Sequence, residues 1–191
     1  MERLKARLAS RNANKARELE RLLPGWTIDL LDTDGYPPET GAGYYDNARA
    51  KALFGRTLAQ PDEWVLGEDS GLEVQGLGGG PGVRSARSGG ADPVDWLLRE
   101  LAGVEEDGRR ARYVCELVAL SPDGTERRGT GTLEGRIAEE PRGHEGFGFD
   151  PVFVPDGETR TVAELGNAWK AWHSHRARAA GALLARLGEA G

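Results

Sequence analysis

The chain has 191 residues, 38% of them hydrophobic and 29% charged, which suits one domain with a substantial core. Its formal net charge of −6 gives no basic footprint for general nucleic-acid binding, and no apolar run approaches the roughly 18 residues of a membrane span. The opening Met1-Glu2-Arg3-Leu4-Lys5 has no apolar signal-peptide core, so the sequence predicts a cytoplasmic protein with no stable nucleic-acid or membrane partner.

Leu4, Ala6 and Leu8 alternate with charged residues, the period of a strand with one buried face. A helix follows, capped by Asn12 or Asn14, with Ala16, Leu19, Leu22 and Leu23 sharing a side, and Pro24-Gly25 ends it. Trp26, Ile28 and Leu30 alternate again. Strand, helix, strand so early in the chain predicts an α/β protein. Residues 32–43 hold two prolines, three glycines and three acids and read as a loop; an alanine-rich helix over 44–59 then carries Lys51. Trp64-Val65-Leu66 reads as a short buried strand that delivers Glu68-Asp69-Ser70-Gly71 at its C-terminal end. Asp92-Pro93-Val94-Asp95 is a helix start, with Asp as N-cap, Pro at N1 and an acid at N3. Residues 111–120 form the strongest strand pattern, and Asp123-Gly124 turns it into a hairpin with residues 125–137. Val152, Phe153 and Val154 make a further strand. Asn167 caps a last helix running to about Leu187, with Ala171, His175, Ala179 and Leu183 along one side.

Four groups along this chain have chemical potential. Ser10-Arg11-Asn12-Ala13-Asn14-Lys15 lies at a strand-to-helix turn, where free N–H groups and the helix dipole favour an anion; it also reads as an ordinary asparagine cap beside a solvated lysine. Glu68 and Asp69 leave a hydrophobic strand, and Glu39 lies in the Pro/Gly loop. Acids so placed suit Mg²⁺, although a strand end reaching solvent gives the same pattern. Gly146-Phe147-Gly148-Phe149-Asp150-Pro151 reads as a stiff aromatic platform with an acid, able to stack a base and read its edge. Lys170, His173, His175 and Arg176 fall on neighbouring turns if the last helix is continuous, so their charges would converge. His-x-His on a helix points opposite ways, which argues against zinc. Cys115 is the single cysteine and lies in an apolar run, so it reads as core. The cations divide into 21 Arg and four Lys, and this bias marks Lys5, Lys15, Lys51 and Lys170 as candidates for work needing a compact point charge.

The order of these segments resembles the inosine triphosphate pyrophosphatase family. The resemblance rests on Ser10 to Lys15, Glu39-Thr40-Gly41, Asp46-Asn47-Ala48-Arg49-Ala50-Lys51-Ala52 and Glu68-Asp69-Ser70-Gly71-Leu72. It continues through Gly79-Gly80-Pro81-Gly82-Val83, Ser85-Ala86-Arg87, Arg112-Tyr113-Val114-Cys115, Glu134-Gly135-Arg136-Ile137 and Glu140-Pro141-Arg142-Gly143. It closes with Gly146 to Phe153 and Ser174-His175-Arg176, covering residues 4–180. The resemblance implies a single domain over 1–191: an elongated mixed α/β sheet with flanking helices and two lobes around a central nucleotide-binding cleft, usually a homodimer. It implies hydrolysis of ITP, dITP and XTP to the monophosphate and pyrophosphate, with Mg²⁺ as cofactor. By the same resemblance Ser10, Arg11, Asn12, Ala13, Asn14 and Lys15 cradle the triphosphate, with Lys51 and Ser70 as further substrate contacts. Glu39 and Asp69 hold the metal, and Asp69 is the general base. Phe147, Gly148, Phe149, Asp150, Lys170, His175 and Arg176 form the base pocket. Specificity then resides at purine position 6, where a keto oxygen accepts from Arg176 or a backbone N–H and an amino group does not.

Two positions depart from the family pattern. Ser10-Arg11 replaces the usual Thr-Gly: Ser keeps the hydroxyl, and Arg11 replaces close backbone approach with a possible bidentate phosphate contact. Glu68 stands where bacterial members often carry Asp. Two other functions compete with this reading. A septum-formation-type pyrophosphatase shares the Leu-Ala-Ser start but continues Ser-Pro-Arg-Arg, absent here; the other is a nucleotide-binding regulator without catalysis.

Overall fold

The computed structural model of the chain describes residues 3–33 and 35–188. Its strands are β1 (Leu4–Leu8), β2 (Trp26–Leu30), β3 (Trp64–Val74), β4 (Gly80–Gly82), β5 (Arg110–Leu120), β6 (Glu126–Ile137) and β7 (Phe153–Pro155). Its helices are α1 (Ala13–Leu22), α2 (Tyr44–Arg56), α3 (Pro93–Glu100), α4 (Val162–His173) and α5 (His175–Gly188). The strands join in a mixed seven-stranded sheet of order β2-β1-β3-β5-β6-β7, with β4 paired to β3. β1 is parallel to both β2 and β3, whereas β3–β4 and β6–β7 are antiparallel. The α/β class expected from the sequence is the observed one.

The chain divides into two compact units, each taking part of β3, β5 and β6. The first gathers the residues up to Asp69, residues 115–131 and those from His175 onward; the second gathers 70–114 and 132–174. In the first unit, Ala6 and Leu8 of β1, Leu19 of α1, Leu66 of β3, Leu117 of β5 and Leu183 of α5 share one apolar cluster. In the second, Leu72, Leu97, Tyr113, Leu133, Phe149 and Phe153 share another. Glycines set how closely helices approach strands. A Cβ on Gly67 of β3 would lie 1.9 Å from the Ala48 carbonyl oxygen of α2. One on Gly131 of β6 would lie 2.1 Å from the His175 carbonyl oxygen of α5, so both helices rest directly on the sheet.

Local rules are visible at the helix starts. Asn12 caps α1, its side chain accepting from the N–H groups of Asn14 and Lys15, and Asp92 caps α3 with Pro93 following. α2 ends at Arg56, short of the expected 59, and the Arg56 guanidinium donates to the carbonyls of Ala59, Gln60 and Glu63 beyond it.

Two expectations are corrected. The strand expected at 64–66 runs on to Val74, so Glu68 and Asp69 lie inside it and not at its end. Their charges are tolerated there because each meets a buried cation. The single last helix expected from Asn167 to Leu187 is also interrupted: Ser174 is extended at φ −64°, ψ 157°, and α5 restarts at His175. A further kink sits at Gly166, and the cap of α4 is Thr161, paired with Glu164 in a capping box.

Candidate active site

In the first unit β3 carries Glu68 and Asp69 side by side, and alternation along the strand sends them to opposite faces. Each side chain finds its own cations. Glu68 is completely buried; its Oε2 meets Lys15 Nζ at 2.5 Å, and its Oε1 accepts from Arg176 Nη2 at 2.8 Å and Nε at 3.2 Å. Arg176 Nη1 also donates to Glu18, so two acids and two cations close a buried cluster between β3, α1 and α5. Burial alone would raise the Glu68 carboxyl, but Lys15 and Arg176 outweigh it and hold the group well below the usual carboxylate range. The Cys115 thiol donates to Glu68 Oε1 at 3.5 Å. Burial and that neighbouring charge push the thiol up, so Cys115 is an inert core residue.

Asp69 faces a different set. Its Oδ1 accepts from Lys51 Nζ at 2.8 Å and its Oδ2 from Asn47 Nδ2 at 3.1 Å. The same Lys51 ammonium reaches Glu39 Oε1 at 2.6 Å and the Glu68 carbonyl at 3.0 Å. Asn47 Oδ1 accepts the Gly41 N–H at 2.9 Å, which fastens the loop bearing Glu39 to α2. Asn47 and Lys51 are four residues apart on α2 and therefore share its inward face. Burial raises the Asp69 carboxyl, an effect that Lys51 and Asn47 only partly offset. A carboxylate with a raised pKa, oriented through both oxygens, is suited to accepting a proton.

Glu39 and Asp69 thus converge on one ammonium. Two hard oxygen donors drawn to a single cation form a donor set that fits Mg²⁺ bound jointly with phosphate oxygens. Among the described residues no group of three or more His, Cys, Asp or Glu side chains is arranged to hold a metal.

The turn before α1 is more self-contained than the sequence suggests. Ser10 Oγ accepts from the Asn12 N–H, and Asn12 Oδ1 accepts from those of Asn14 and Lys15. Lys15 is drawn inward to Glu68. The exposed cation of this segment is Arg11, whose guanidinium carbon lies 5.5 Å from the Tyr36 ring centroid.

In the second unit, Asp150 Oδ2 accepts from Lys170 Nζ and from the Phe147 N–H, at 2.7 and 2.8 Å. The Lys170 ammonium also stands 4.6 Å from the Phe147 ring centroid. Phe147 is half-buried and Gly148 exposed, whereas Phe149 is buried in the apolar cluster. Lys170 and Asp150 form an almost fully buried ion pair.

The residues expected from the sequence therefore fall into distinct sets. In the first unit Lys15 and Arg176 meet Glu68, while Lys51 and Glu39 gather at Asp69. Phe147, Asp150 and Lys170 form the set in the second. The single helix on which Lys170, His173, His175 and Arg176 were expected to converge is interrupted at Ser174, and each side chain has its own surroundings. Lys170 turns to Asp150, Arg176 to Glu68, exposed His173 stacks at 4.9 Å on Trp169, and His175 is buried. Ser70 follows Asp69 on β3 and is half-buried. Sequence reasoning missed Asn47 and Glu18, though helical spacing pointed to both: Asn47 is one turn before Lys51, and Glu18 three residues after Lys15.

Comparison with known proteins identifies the family. The model of the Ham1 family matches residues 6–186. A protein of Deinococcus deserti named dITP/XTP pyrophosphatase is 44% identical over 185 residues, covering 93% of this chain and 86% of that protein. The structure of the Staphylococcus aureus Ham1 protein superposes with a TM-score of 0.82 at 30% identity, covering 98% of this chain and 100% of that one. The structure of a nucleoside-triphosphatase / dITP/XTP pyrophosphatase from Mycobacterium abscessus is 38% identical, with a TM-score of 0.72 and coverage of 96% and 100%.

Proposed function

This chain belongs to the Ham1 family, and we propose that it hydrolyses the triphosphates of non-standard purines (ITP, dITP and XTP) to the nucleoside monophosphate and pyrophosphate. The observation that carries the reading is the cluster of Asp69, Lys51, Asn47 and Glu39: a proton-accepting carboxylate oriented through both oxygens beside a buried ammonium and a second acid. The names of the relatives support the substrate class.

Attack by water on the α-phosphorus forms one P–O bond as the bond to the bridging oxygen of pyrophosphate breaks. Asp69 takes the proton of that water, its orientation held by Asn47 and Lys51. Lys51 and Lys15 offset charge on the departing pyrophosphate, and the segment from Ser10 to Lys15 binds the polyphosphate. Mg²⁺, held by Glu39 and Asp69, would supply charge withdrawal from the phosphate oxygens. Phe147 stacks the base, while Lys170 and Asp150 read its edge, with Gly148 giving room and Phe149 bracing the platform from the core. An ammonium donates and never accepts, so it favours a 6-oxo oxygen over a 6-amino group. His175 and Arg176 also contact the substrate in this reading, as the resemblance implies, with Arg176 held by Glu68 and Glu18. In this reading the whole chain acts as one catalytic domain, in a cytoplasmic homodimer. Among the described residues no helix is long and apolar enough to cross a membrane.

The test is to incubate the protein and Mg²⁺ with ITP, dITP, XTP, ATP, dTTP or UTP and to detect phosphate and pyrophosphate separately. Pyrophosphate from ITP with little from ATP is expected. Preference for dTTP or UTP, or release of phosphate alone, would refute the assignment. Asp69→Asn should abolish turnover while the fold is retained, and an active variant removes Asp69 from the role of base.

A further inference from the structure

Helix α4 is two helical pieces. Gly166 sits at φ 85°, ψ 175°, so the piece that opens at Thr161 stops there and a second begins at Asn167. A helix start leaves N–H groups that need acceptors, and the side chain of the N-cap residue usually provides one. Gly166 occupies that position and has no side chain. The acceptor comes from elsewhere in the chain: Glu145 Oε2 accepts from the Asn167 N–H and from Asn167 Nδ2, both at 2.8 Å. A carboxylate there also meets the positive end of the local helix dipole. Glycine is favoured at 166 because its φ lies in the left-handed region; a Cβ there would stand 3.1 Å from both Glu145 carboxylate oxygens, which would have to shift slightly.

The loop bearing Glu145 is fastened to the first piece of the helix as well. Thr161 Oγ1 donates to the Arg142 carbonyl at 2.7 Å, and the Ala163 N–H donates to the Asp150 carbonyl at 3.1 Å. A Cβ on Gly143 would lie 2.4 Å from the Ala163 carbonyl carbon, so loop and helix are in direct backbone contact. Glu145 lies just before Phe147 and Asp150, and the turn it caps carries Lys170. One carboxylate thereby joins the two segments whose side chains meet in the Lys170–Asp150–Phe147 set.

We propose that Glu145 is a positioning residue for base recognition: by capping the helix piece at Asn167 it fixes Lys170 against Asp150 and over Phe147, and so sets discrimination between 6-oxo and 6-amino purine triphosphates. This rests on the reading that Phe147, Asp150 and Lys170 meet the base. Glu145 acts through Asn167 and not on the substrate.

The test uses the whole protein, as wild type, Glu145→Ala and Glu145→Gln. It measures kcat/KM for ITP and for ATP, inhibition by inorganic pyrophosphate, and amide hydrogen exchange over residues 162–174. Glu145→Ala should lower the ITP to ATP ratio roughly fivefold, the size expected from losing a helix cap, chiefly through KM for ITP. It should speed exchange at residues 167–170 and leave pyrophosphate inhibition unchanged. Glu145→Gln keeps an acceptor oxygen and should stay near the wild-type ratio. A folded Glu145→Ala protein with an unchanged ratio overturns the proposal. So does an equal loss on both nucleotides with weakened pyrophosphate inhibition, the mark of a general structural defect. If Glu145→Ala does not fold, Glu145→Asp, which withdraws the carboxylate by one methylene, is judged by the same ratio. Failure of the underlying reading looks different, because Lys170→Ala would then leave the ITP to ATP ratio of the wild type unchanged.

Discussion

Replacing Glu68 with glutamine distinguishes a buried charge anchor from a metal ligand. The side chain is fully buried, with one oxygen 2.5 Å from Lys15 Nζ and the other within 3.2 Å of two Arg176 nitrogens. Glutamine preserves the volume and one acceptor oxygen, but its NH₂ must face one of the two cations. Removing one partner of a buried ion pair costs about 3–5 kcal/mol, because the remaining charge is left uncompensated in the interior. For a chain of this length each kcal/mol moves Tm by roughly 2–4 °C, so a fall of roughly 6–20 °C is expected. The assay is thermal and urea unfolding of both proteins at pH 7, paired with the Mg²⁺ concentration that half-saturates activity. A large stability loss with an unchanged Mg²⁺ requirement fits the anchor. A Tm within a few degrees of wild type, with a raised Mg²⁺ requirement, would show that Glu68 serves mainly as a ligand and refute the reasoning.

Gly67→Ala should cost about 1–3 kcal/mol by overpacking, since its Cβ would fall 1.9 Å from the Ala48 carbonyl oxygen and 2.7 Å from the Ala52 nitrogen. The shifted helix carries Asn47 and Lys51, so kcat should fall by up to ~10²-fold; wild-type kcat would separate that packing from the site. Arg11→Gly should raise KM for ITP roughly tenfold, as expected for loss of a charge-assisted phosphate contact, and an unchanged KM would leave Arg11 outside phosphate binding. On pH, the two acids of β3 act in opposite directions. Asp69 must be ionised to accept a proton and its pKa is raised by burial, so the acid limb of kcat/KM should lie above the ordinary aspartate value of 3.8. Glu68 is depressed: its stabilisation is complete above the ordinary value of 4.5 and is lost as pH falls through the lower folded value. Urea midpoints measured from pH 6 to pH 3 should drop over that window in wild type and less in Glu68→Gln.

What the sequence reveals depends on the range of the interaction. Asp92 was readable as a cap, and that of α1 was narrowed to Asn12 or Asn14, because a cap is settled within four residues. The strand at 110–120 was readable because Tyr113 to Leu120 are apolar but for Glu116. The reach of β3 through two acids was not. A charged pair looks like a strand end until its cations are known, and Arg176 lies 108 residues away from Glu68. The break at Ser174 was equally hidden, since the direction of α5 is set by its contact with Gly129 and Gly131 of β6, not by any breaker in its own sequence. In the first unit Arg176 pairs with Glu68, and in the second Lys170 pairs with Asp150.

Of the four lysines singled out by their scarcity, Lys5 is exposed on β1 and the other three are drawn to acids. Lys15, Lys51 and Lys170 each hold a buried carboxylate, and the geometry at Lys51 explains why arginine does not replace it. One nitrogen reaches Glu39 at 2.6 Å, Asp69 at 2.8 Å and the Glu68 carbonyl at 3.0 Å, three directions around a single centre. A guanidinium spreads its donors over a planar fork and is bulkier, so it serves Arg176, which divides between Glu68 and Glu18, but not this point. Lys51→Arg should therefore retain the charge yet displace Glu39 or Asp69, lowering kcat/KM for ITP by roughly tenfold or more. The measurement is kcat and KM for ITP beside the unfolding midpoint. A variant that folds and keeps kcat/KM within a factor of about two would mean that charge alone matters at this position, because the misplacement expected from the fork would not have occurred.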